Sequence, residues 1–469
     1  MFHRSTARRF SLDFTARKRK SQWGCRKSSP QPRGFSGSGP TGLGGYQVDK
    51  QVSHKEGRIG EQGHSPMTSE PAGVCRRHVF ISAGESSGDV HGAALVRAIL
   101  RQQPETRISA LGGPLMRQAG AELAADLTGH AVMGLVEGIR HVGQIYSVFR
   151  KVVKRVAADR PDAVVLIDYP EFNLRLARRA NKLGIPVIYY ITPQLWAWRQ
   201  WRVKILEKYV DKVLVIFPFE EEFYHRHNVA AEFVGHPLVD ELAAVPDRAA
   251  SRRALSLPED ATVIGLLPGS RRKEIDANFP IMARAAQAIR DRLGKPVTFL
   301  VAKAPSISLQ QLQDFVERFG LDAKIICDDT YRAVRSSDLL LIASGTATVE
   351  AMILGTPMVV VYRVSTLTWT LFIRLMKVTH YAMVNIIAGR EIVPECIQWK
   401  ASSELIAREV LDILLTDRAA RMTRDLAETT KLLRRPTAAE DPGEATDVPS
   451  RVAARILQFI ERKWKNGPS

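Results

Sequence analysis

The apolar run Ala163–Ile167 constrains the fold more than any other segment, because it is continuous, rich in β-branched residues and ends at an acid, Asp168. A run of this kind is typical of a strand that is buried on both faces of a parallel sheet. In open α/β sheets, ligands bind outside the carboxyl ends of the strands. Asp168 is therefore predicted to be a base in a cleft, although an Asp at this position could instead cap the next helix.

Strand and helix patterns alternate in two long stretches, which predicts two α/β domains. The 469 residues also exceed what one hydrophobic core usually holds. We place the domains at residues 77–243 and 260–400, joined by a polar hinge, and expect Pro357–Arg363 to close the second sheet. The predicted class is α/β, with two Rossmann-like domains that face each other across a cleft. The helices of residues 401–469, interrupted by a polar linker at 436–449, are expected to pack back on the first domain.

The first part of the chain, residues 1–76, is predicted to lie outside both domains. Residues 1–66 carry 13 Lys and Arg against 4 Asp and Glu, which is half of the net charge of +18. They have too little apolar material to fold alone, so they could be a disordered basic tail, a transit-like peptide or an upstream extension of the reading frame. We favour the extension, with a working start at Met67. No aromatic interleaving supports a nucleic-acid partner.

Several classes of site are excluded by what the sequence lacks. Its four cysteines form no C-x-x-C pair, which argues against a disulfide framework or a zinc site and suits a reducing compartment. No apolar run approaches the roughly 20 residues that a membrane span needs. No D-x-D follows a strand, where it could chelate a metal–diphosphate. We therefore expect neither a metal nor another cofactor.

The second domain contains a predicted phosphate site. Ser344, Gly345 and Thr346 follow a strand and open a helix, so their bare N–H groups would face an anion. Glu350 lies one turn into the helix and is placed to accept ribose hydroxyls, although it could be an ordinary first-turn acid. Together these residues predict a nucleotide-sugar site.

Three stretches of the first domain each allow two interpretations. Residues 132–156 have apolar side chains at helical spacing with basic ones between them, so this stretch could face the core or lie on an anionic membrane. The Trp-rich stretch Thr192–Trp201 could be interdomain core or a platform for a sugar. The Gly-rich turn at residues 83–92 could hold an anion or could simply be a tight strand-to-helix turn.

Two facing α/β domains, with an acid in the first and a phosphate cradle plus ribose acid in the second, describe a glycosyltransferase of the two-domain B type. A UDP-sugar 2-epimerase of the same architecture is the alternative enzyme. A non-catalytic basic protein that binds membranes or nucleic acid would explain the charge, but not the cradle beside Glu350.

Nine motifs resemble those of lipid A disaccharide synthases, in the same order and with natural spacing, over about residues 78–415. They are Ala83–Asp89, Val132–Glu137, Ile167–Asn173, Gln194–Arg199, Pro218–Glu220, Val234–His236, Leu267–Arg271, Ala343–Thr348 and Asn385–Glu391. The sequence departs from the family pattern at Tyr169 and Glu171, where smaller or shorter residues are expected.

The resemblance implies an inverting transfer from UDP-2,3-diacylglucosamine to the 6-hydroxyl of 2,3-diacylglucosamine 1-phosphate, without a metal. Asp168 would be the catalytic base. The residues implied to bind UDP are Ser270, Arg271, Ser344, Gly345, Thr346 and Glu350. The residues expected near the acceptor or its phosphate are Glu85, Ser86, Ser87, Gly88, Asp89, Trp198, Arg199, His236 and Asn385. His236 could equally be a packed core histidine.

Acylated substrates also imply contact with a membrane. The expected location is the cytoplasm, with peripheral attachment to the anionic cytoplasmic face of the inner membrane. The residues expected at the membrane or the acyl chains are Met133, Leu135, Val136 and Ile139. The resemblance leaves a homodimer open.

Overall fold

The computed structural model describes residues 77–126, 138–366, 369–370, 378–435 and 447–465, which all belong to one compact unit, Glu70–Ser469. Several expectations fall outside these ranges or on side chains that are not described. They concern residues 1–76, Met133, Leu135, Val136, the side chain of Ile139 and linker residues 436–446.

The first sheet has seven parallel strands in the described part of the chain, in the order β3-β2-β1-β4-β5-β6-β7. The strands are β1 (His78–Ala83), β2 (Arg107–Leu111), β3 (Glu122–Ala125), β4 (Ala163–Ile167), β5 (Val187–Tyr190), β6 (Lys212–Val215) and β7 (Ala231–Phe233). Every residue of β4 is buried, as its apolar composition predicts. The chain reverses its direction of travel between β1 and β4, which makes this pair the topological switch point.

The second sheet has six parallel strands among the described residues, in the order β10-β9-β8-β11-β12-β13. The strands are β8 (Thr262–Leu267), β9 (Val297–Ala302), β10 (Ala323–Ile326), β11 (Leu339–Ala343), β12 (Met358–Tyr362) and β13 (Glu395–Ile397). The prediction that Pro357–Arg363 closes this sheet is wrong, because β13 pairs with the outer side of β12. The switch point here lies between β8 and β11.

Helices follow most of the strands and cover the sheets. Those of the first half are α1 (Ser86–Gln102), α2 (Pro114–Gln118), α3 (Gly138–Asp159), α4 (Pro170–Lys182), α5 (Val203–Tyr209), α6 (Pro218–His225) and α7 (Pro237–Leu242). The later ones are α8 (Arg248–Ala254), α9 (Arg272–Leu293), α10 (Leu309–Arg318), α11 (Thr330–Ser336), α12 (Thr346–Ile353), α13 (Met383–Ala388), α14 (Ser403–Leu415), α15 (Arg418–Leu432) and α16 (Val448–Lys465).

Helix α3 turns an apolar face to the core, as its periodicity predicts. Val152 and Val156 are buried, and Val148 and Phe149 pack against the core while partly exposed. Lys151 lies on the exposed face. The core-facing interpretation therefore holds for the described side chains of this helix.

The last helix, α16, returns to the first sheet and packs on α1. An ion pair of 2.8 Å joins Arg77 to Glu461, and the Arg451 guanidinium donates a 2.7 Å hydrogen bond to the carbonyl of Val234. Helices α14 and α15 instead pack on α9 and α12 of the second half. The expected return of the C-terminal helices is thus confirmed for α16 alone.

Candidate active site

The register of β1 and β4 brings two acids side by side at the switch point of the first sheet. Ala83 pairs with Ile167, so Glu85 and Asp168 leave the sheet at the same edge. Asp168 and Tyr169 both adopt left-handed backbone conformations, with φ of 45° and 48°. Such conformations are strained for residues other than glycine, and they concentrate at functional sites.

Buried side chains hold this strained turn in place. Asn173 donates hydrogen bonds to the carbonyl oxygens of Ile167 and Asp168, at 3.1 and 2.8 Å, and accepts one of 2.6 Å from the Ser82 hydroxyl. The hydroxyl of Tyr189 donates a second bond of 2.8 Å to the Asp168 carbonyl. The backbone of Asp168 is therefore fixed from two sides.

Tyr169, one of the two departures from the family pattern, occupies space that only glycine leaves open. A Cβ added to Gly84 would lie 2.1 Å from Cδ1 of Tyr169. The Tyr169 ring also stacks on Phe172, with centroids 5.6 Å apart. The ring thus forms a wall beside Asp168.

Burial, followed by the charge of Glu85, raises the pKa of Asp168 to about 6. A carboxylate with a pKa near the working pH is well matched to accept a proton. The capping alternative does not hold, because the residue before α4 is Tyr169 and no side chain caps this helix.

Two histidines of the first half, His91 and His236, interact electrostatically, and the sequence analysis singled out His236. Burial lowers the pKa of His236 to about 3, with a further contribution from His91. Its Nδ1 accepts a hydrogen bond from the amide of Leu238, and its ring packs on Phe217. His236 is thus a neutral, packed histidine, as the second interpretation held. Burial lowers the pKa of His91 to about 4. His91 lies four residues after Ser87, on the same face of α1.

The fold uses the side chains of Asp89 and Asn385, and their expected place near the acceptor stays a prediction. Both are buried. The Asp89 carboxylate accepts hydrogen bonds from the amides of Gly113, Leu115 and Met116 and so caps α2. Asn385 bonds the main chain of residues 392 and 393 and the carboxylate of Glu395. The polar groups of both side chains are thus hydrogen-bonded within the fold.

The remaining acceptor candidates lie at the first sheet's edge. Glu85 is partly buried, Ser86 and Ser87 are exposed in the first turn of α1, and Gly88 is buried. The Trp198 ring is partly buried, and the Arg199 guanidinium lies 4.3 Å from its centroid.

Trp196, in the same Trp-rich stretch, is buried and donates a hydrogen bond of 3.2 Å to Glu220. Burial raises the pKa of Glu220 to about 8. For Trp196, the core interpretation of this stretch is therefore correct.

A cavity of 660 Å³ opens at the carboxyl edge of the second sheet. Leu267 of β8 pairs with Ile342 of β11, so the turns that follow both strands enter the cavity together. The predicted UDP-binding residues that line it are Ser270, Ser344, Gly345, Thr346 and Glu350. The cavity therefore brings together five of the six residues expected to bind UDP.

The sixth residue, Arg271, lies outside the cavity lining. Its side chain is 80% exposed and pairs with Glu274 at 3.6 Å. An exposed arginine on the rim can change its rotamer without unpacking the core.

Glu350 lines the cavity near a second acid, Glu241. Burial, then the charge of Glu241, raises the pKa of Glu350 to about 7. The hydroxyl of Tyr331, another lining residue, donates a 3.3 Å hydrogen bond to Glu241. Since Glu241 belongs to α7 of the first half, this contact links the two halves at the cavity.

Within the ranges that the structure describes, no three His, Cys, Asp or Glu side chains are grouped as metal ligands. No helix in those ranges is long and apolar enough to cross a membrane.

The protein has two Rossmann-type sheets. A carboxylate with a raised pKa lies at the switch point of the first sheet, and a helix N-terminus lines a cavity at the switch point of the second. Together these features define a glycosyltransferase of the two-domain B type. The family profile described as lipid-A-disaccharide synthetase matches residues 79–447. The chain therefore belongs to the lipid-A-disaccharide synthase family, and it is an enzyme.

Individual relatives agree with this assignment. The chain is 42% identical to the lipid-A-disaccharide synthase of Syntrophus aciditrophicus, over 77% of this chain and 95% of the relative. It is 40% identical to that of Koribacter versatilis, over 82% and 99% of the two chains. A solved UDP-N-acetylglucosamine 2-epimerase is 13% identical, with a TM-score of 0.51 and coverage of 84% and 98%. That last likeness shows a shared fold alone, so the epimerase alternative is not favoured.

Proposed function

We propose that this chain transfers 2,3-diacylglucosamine from its UDP derivative to the 6-hydroxyl of 2,3-diacylglucosamine 1-phosphate. The products are the β-1,6-linked disaccharide 1-phosphate and UDP. The observation that carries this proposal is the carboxylate of Asp168, whose pKa is raised to about 6. It lies at the switch point, on the strained turn that Asn173 and Tyr189 hold in place.

Inversion at the anomeric carbon needs one base. The acceptor 6-hydroxyl oxygen attacks the anomeric carbon of the donor, and its proton passes to the Asp168 carboxylate. The bond from that carbon to the diphosphate oxygen breaks, and UDP leaves with the electron pair. A single well-placed carboxylate suffices for this step, unlike the pair that a glycosidase uses.

The 660 Å³ cavity is the proposed donor site. The main-chain N–H groups at Ser270 and at the start of α12 would face the diphosphate, and Glu350 would accept the ribose hydroxyls. Arg271 would swing from the rim to stabilise charge on the departing diphosphate. These groups stand in for a metal, so we propose a metal-independent transfer.

Membrane association is proposed to be peripheral and to involve the anionic cytoplasmic face of the inner membrane. The support is the basic exposed face of α3, which includes Arg150, Lys151 and Lys154. A homodimer stays a prediction that light scattering can check.

The test is UDP release from the diacylated donor, with and without the monosaccharide acceptor, in the presence of EDTA. We expect release only with the acceptor, together with formation of the disaccharide. Release without acceptor, with epimerisation of the free sugar, would support the alternative enzyme instead. Loss of activity in EDTA that Mg²⁺ restores would contradict the proposed leaving-group site.

A further inference from the structure

Three arginines surround Glu171 at the carboxyl edge of the first sheet. Nη1 of Arg199 and Nη2 of Arg202 donate hydrogen bonds of 2.9 and 2.8 Å to the same carboxylate oxygen of Glu171. The guanidinium of Arg175 donates to the Glu171 carbonyl oxygen. We call Arg175, Arg199 and Arg202 the arginine cluster.

The arginine cluster carries more charge than Glu171 neutralises. Burial alone would raise the pKa of Glu171, but the hydrogen bond from Arg202 and the charges of all three arginines lower it below its usual value. Glu171 is therefore ionised near neutral pH, and the group of four residues carries a net charge of +2. Such a group attracts an anion, and guanidinium forks match the oxygens of a phosphate.

One ring contact and the burial of Arg202 restrict the cluster to one geometry. The guanidinium of Arg199 lies over the Trp198 ring, with 4.3 Å to its centroid. The Arg202 side chain is only 12% exposed. Arginines that are already ordered lose less conformational entropy when an anion binds.

The cluster also lies close to the proposed base. Glu171 follows Asp168 by three residues, so their main chains are at most about 10 Å apart, which is the scale of one sugar. Burial and the Asp168 charge raise the pKa of Tyr189, whereas Arg202 acts in the opposite direction. Since the Tyr189 hydroxyl contacts the Asp168 carbonyl, Arg202 lies within electrostatic reach of the same turn.

The other expected phosphate position, the turn Ser86–Gly88, is less suitable. It opens α1, but Glu85 immediately precedes it, and the Glu85 charge already acts on Asp168. A phosphate there would face two carboxylates. The arginine cluster offers an excess of positive charge instead.

We infer that the arginine cluster binds the anomeric phosphate of the acceptor, while Glu171 holds the guanidinium groups in place until the acceptor arrives. This inference deepens the proposed function and rests on it. The acceptor would then lie across Tyr169 and Pro170, with its 6-hydroxyl directed to Asp168 and its phosphate directed to Arg199 and Arg202.

The test compares kcat/KM for the phosphorylated acceptor with that for 2,3-diacylglucosamine, which lacks the phosphate. We expect Arg199→Gln to lower the ratio of the two values about tenfold to a hundredfold, the range for a lost charged hydrogen bond. Arg199→Lys, which keeps the charge without the fork, should lower it less. Arg178→Gln is the matched control, because Arg178 is an exposed arginine of α4 that lies over Tyr209.

The outcomes separate the two proposals. An unchanged ratio in Arg199→Gln, or an equal fall in Arg178→Gln, overturns the phosphate site. A wild-type enzyme that forms no disaccharide from the phosphorylated acceptor overturns the proposed function. UDP affinity and the melting temperature, measured for each variant, show whether a lowered ratio comes from the acceptor site or from a damaged fold.

Discussion

The side-chain amide of Asn173 and the hydroxyl of Tyr189 donate hydrogen bonds of equal length, 2.8 Å, to the carbonyl oxygen of Asp168. Both donors are buried and come from different elements, α4 and β5. A strained residue persists only where its surroundings over-determine it. The two donors therefore set the position of the Asp168 carboxylate through its main chain.

The first prediction ranks these two donors. Tyr189→Phe removes one hydrogen bond and keeps the packing, so it should lower the free energy of unfolding by about 1 kcal/mol. Asn173→Ala removes several buried hydrogen bonds at once and should lower it by about 1–3 kcal/mol. Urea denaturation measures both. If both residues position Asp168, the two substitutions should lower kcat more than they alter UDP affinity. If both variants are less stable but keep the wild-type kcat, the two residues have structural roles only.

Asp168→Asn should abolish most of the turnover and stabilise the fold. Loss of a general base typically lowers the rate about 10²–10⁴-fold, while UDP affinity should stay near wild type. Burial raises the pKa of Asp168 from 3.8 to about 6 in the folded protein, so the stability that its proton provides is present below pH 3.8 and lost as the pH rises through 6.

Above pH 6, the free energy of unfolding of the variant should therefore exceed that of wild type by on the order of 2–3 kcal/mol. Urea denaturation measures this difference. The difference should shrink towards pH 4. Near-normal turnover of Asp168→Asn would remove Asp168 from the role of base.

Glu85 should set the pH profile of the enzyme. Since a base acts when deprotonated, kcat/KM should rise with pH through about 6, the pKa of Asp168. Glu85→Gln removes a neighbouring negative charge, so the midpoint of the profile should move to lower pH. Ser86→Ala is a suitable control, because Ser86 is exposed and carries no charge. A midpoint that moves equally in both variants would count against electrostatic coupling.

Glu350→Ala should weaken UDP binding by roughly 1–3 kcal/mol, the range for a charged hydrogen bond. Burial raises the pKa of Glu350 to about 7, so wild-type affinity should also fall as the pH drops below 7. Glu241→Gln removes the neighbouring charge and should shift this loss to lower pH. Calorimetry across a pH series measures both effects, and an unchanged affinity in Glu350→Ala would refute the ribose contact.

The chain starting at Met67 should still sediment with anionic vesicles and be released by high salt. Each Lys or Arg near an anionic surface contributes about 1 kcal/mol, screened by salt. Replacing Val136 and Ile139 by Ser should lower vesicle binding without changing UDP affinity. If these two residues belong to the core, the melting temperature should fall instead. Unaltered vesicle binding together with an unaltered melt would place the acyl-binding surface elsewhere.

Long apolar runs were the elements that could be predicted from the sequence, and Ala163–Ile167 matches β4 residue for residue. The start of α1 was missed, because this helix begins at Ser86, inside the Gly-rich turn that the sequence predicts at residues 83–92. Strand β13 has three residues, too few for a period to show.

The polar stretch that is predicted to be a hinge contains a helix, α8, which its composition does not indicate. Helix α8 is anchored there by the buried Arg252, which donates hydrogen bonds to the Ser336 carbonyl and to Asp338. A polar composition hides such a contact, because the partners are more than 80 residues away in the chain.

Candidate site residues could be proposed from the sequence where one strand end carries the chemistry, as at Asp168 and at Ser344–Thr346. Residues whose role depends on a distant partner could not. The sequence does not show that Asp89 caps α2, or that Glu171 in the first turn of α4 pairs with Arg202. These contacts depend on which strand ends become neighbours.

The packing of α16 on α1 has a consequence for synthesis on the ribosome. The ion pair between Arg77 and Glu461 cannot form until Glu461, 384 positions later in the chain, has been synthesised. At about 5–20 residues per second, this interval lasts roughly 20–80 seconds. During that time the nascent chain carries α1 with the surface that α16 will cover still open. The half of the enzyme that is made first is the half that is completed last.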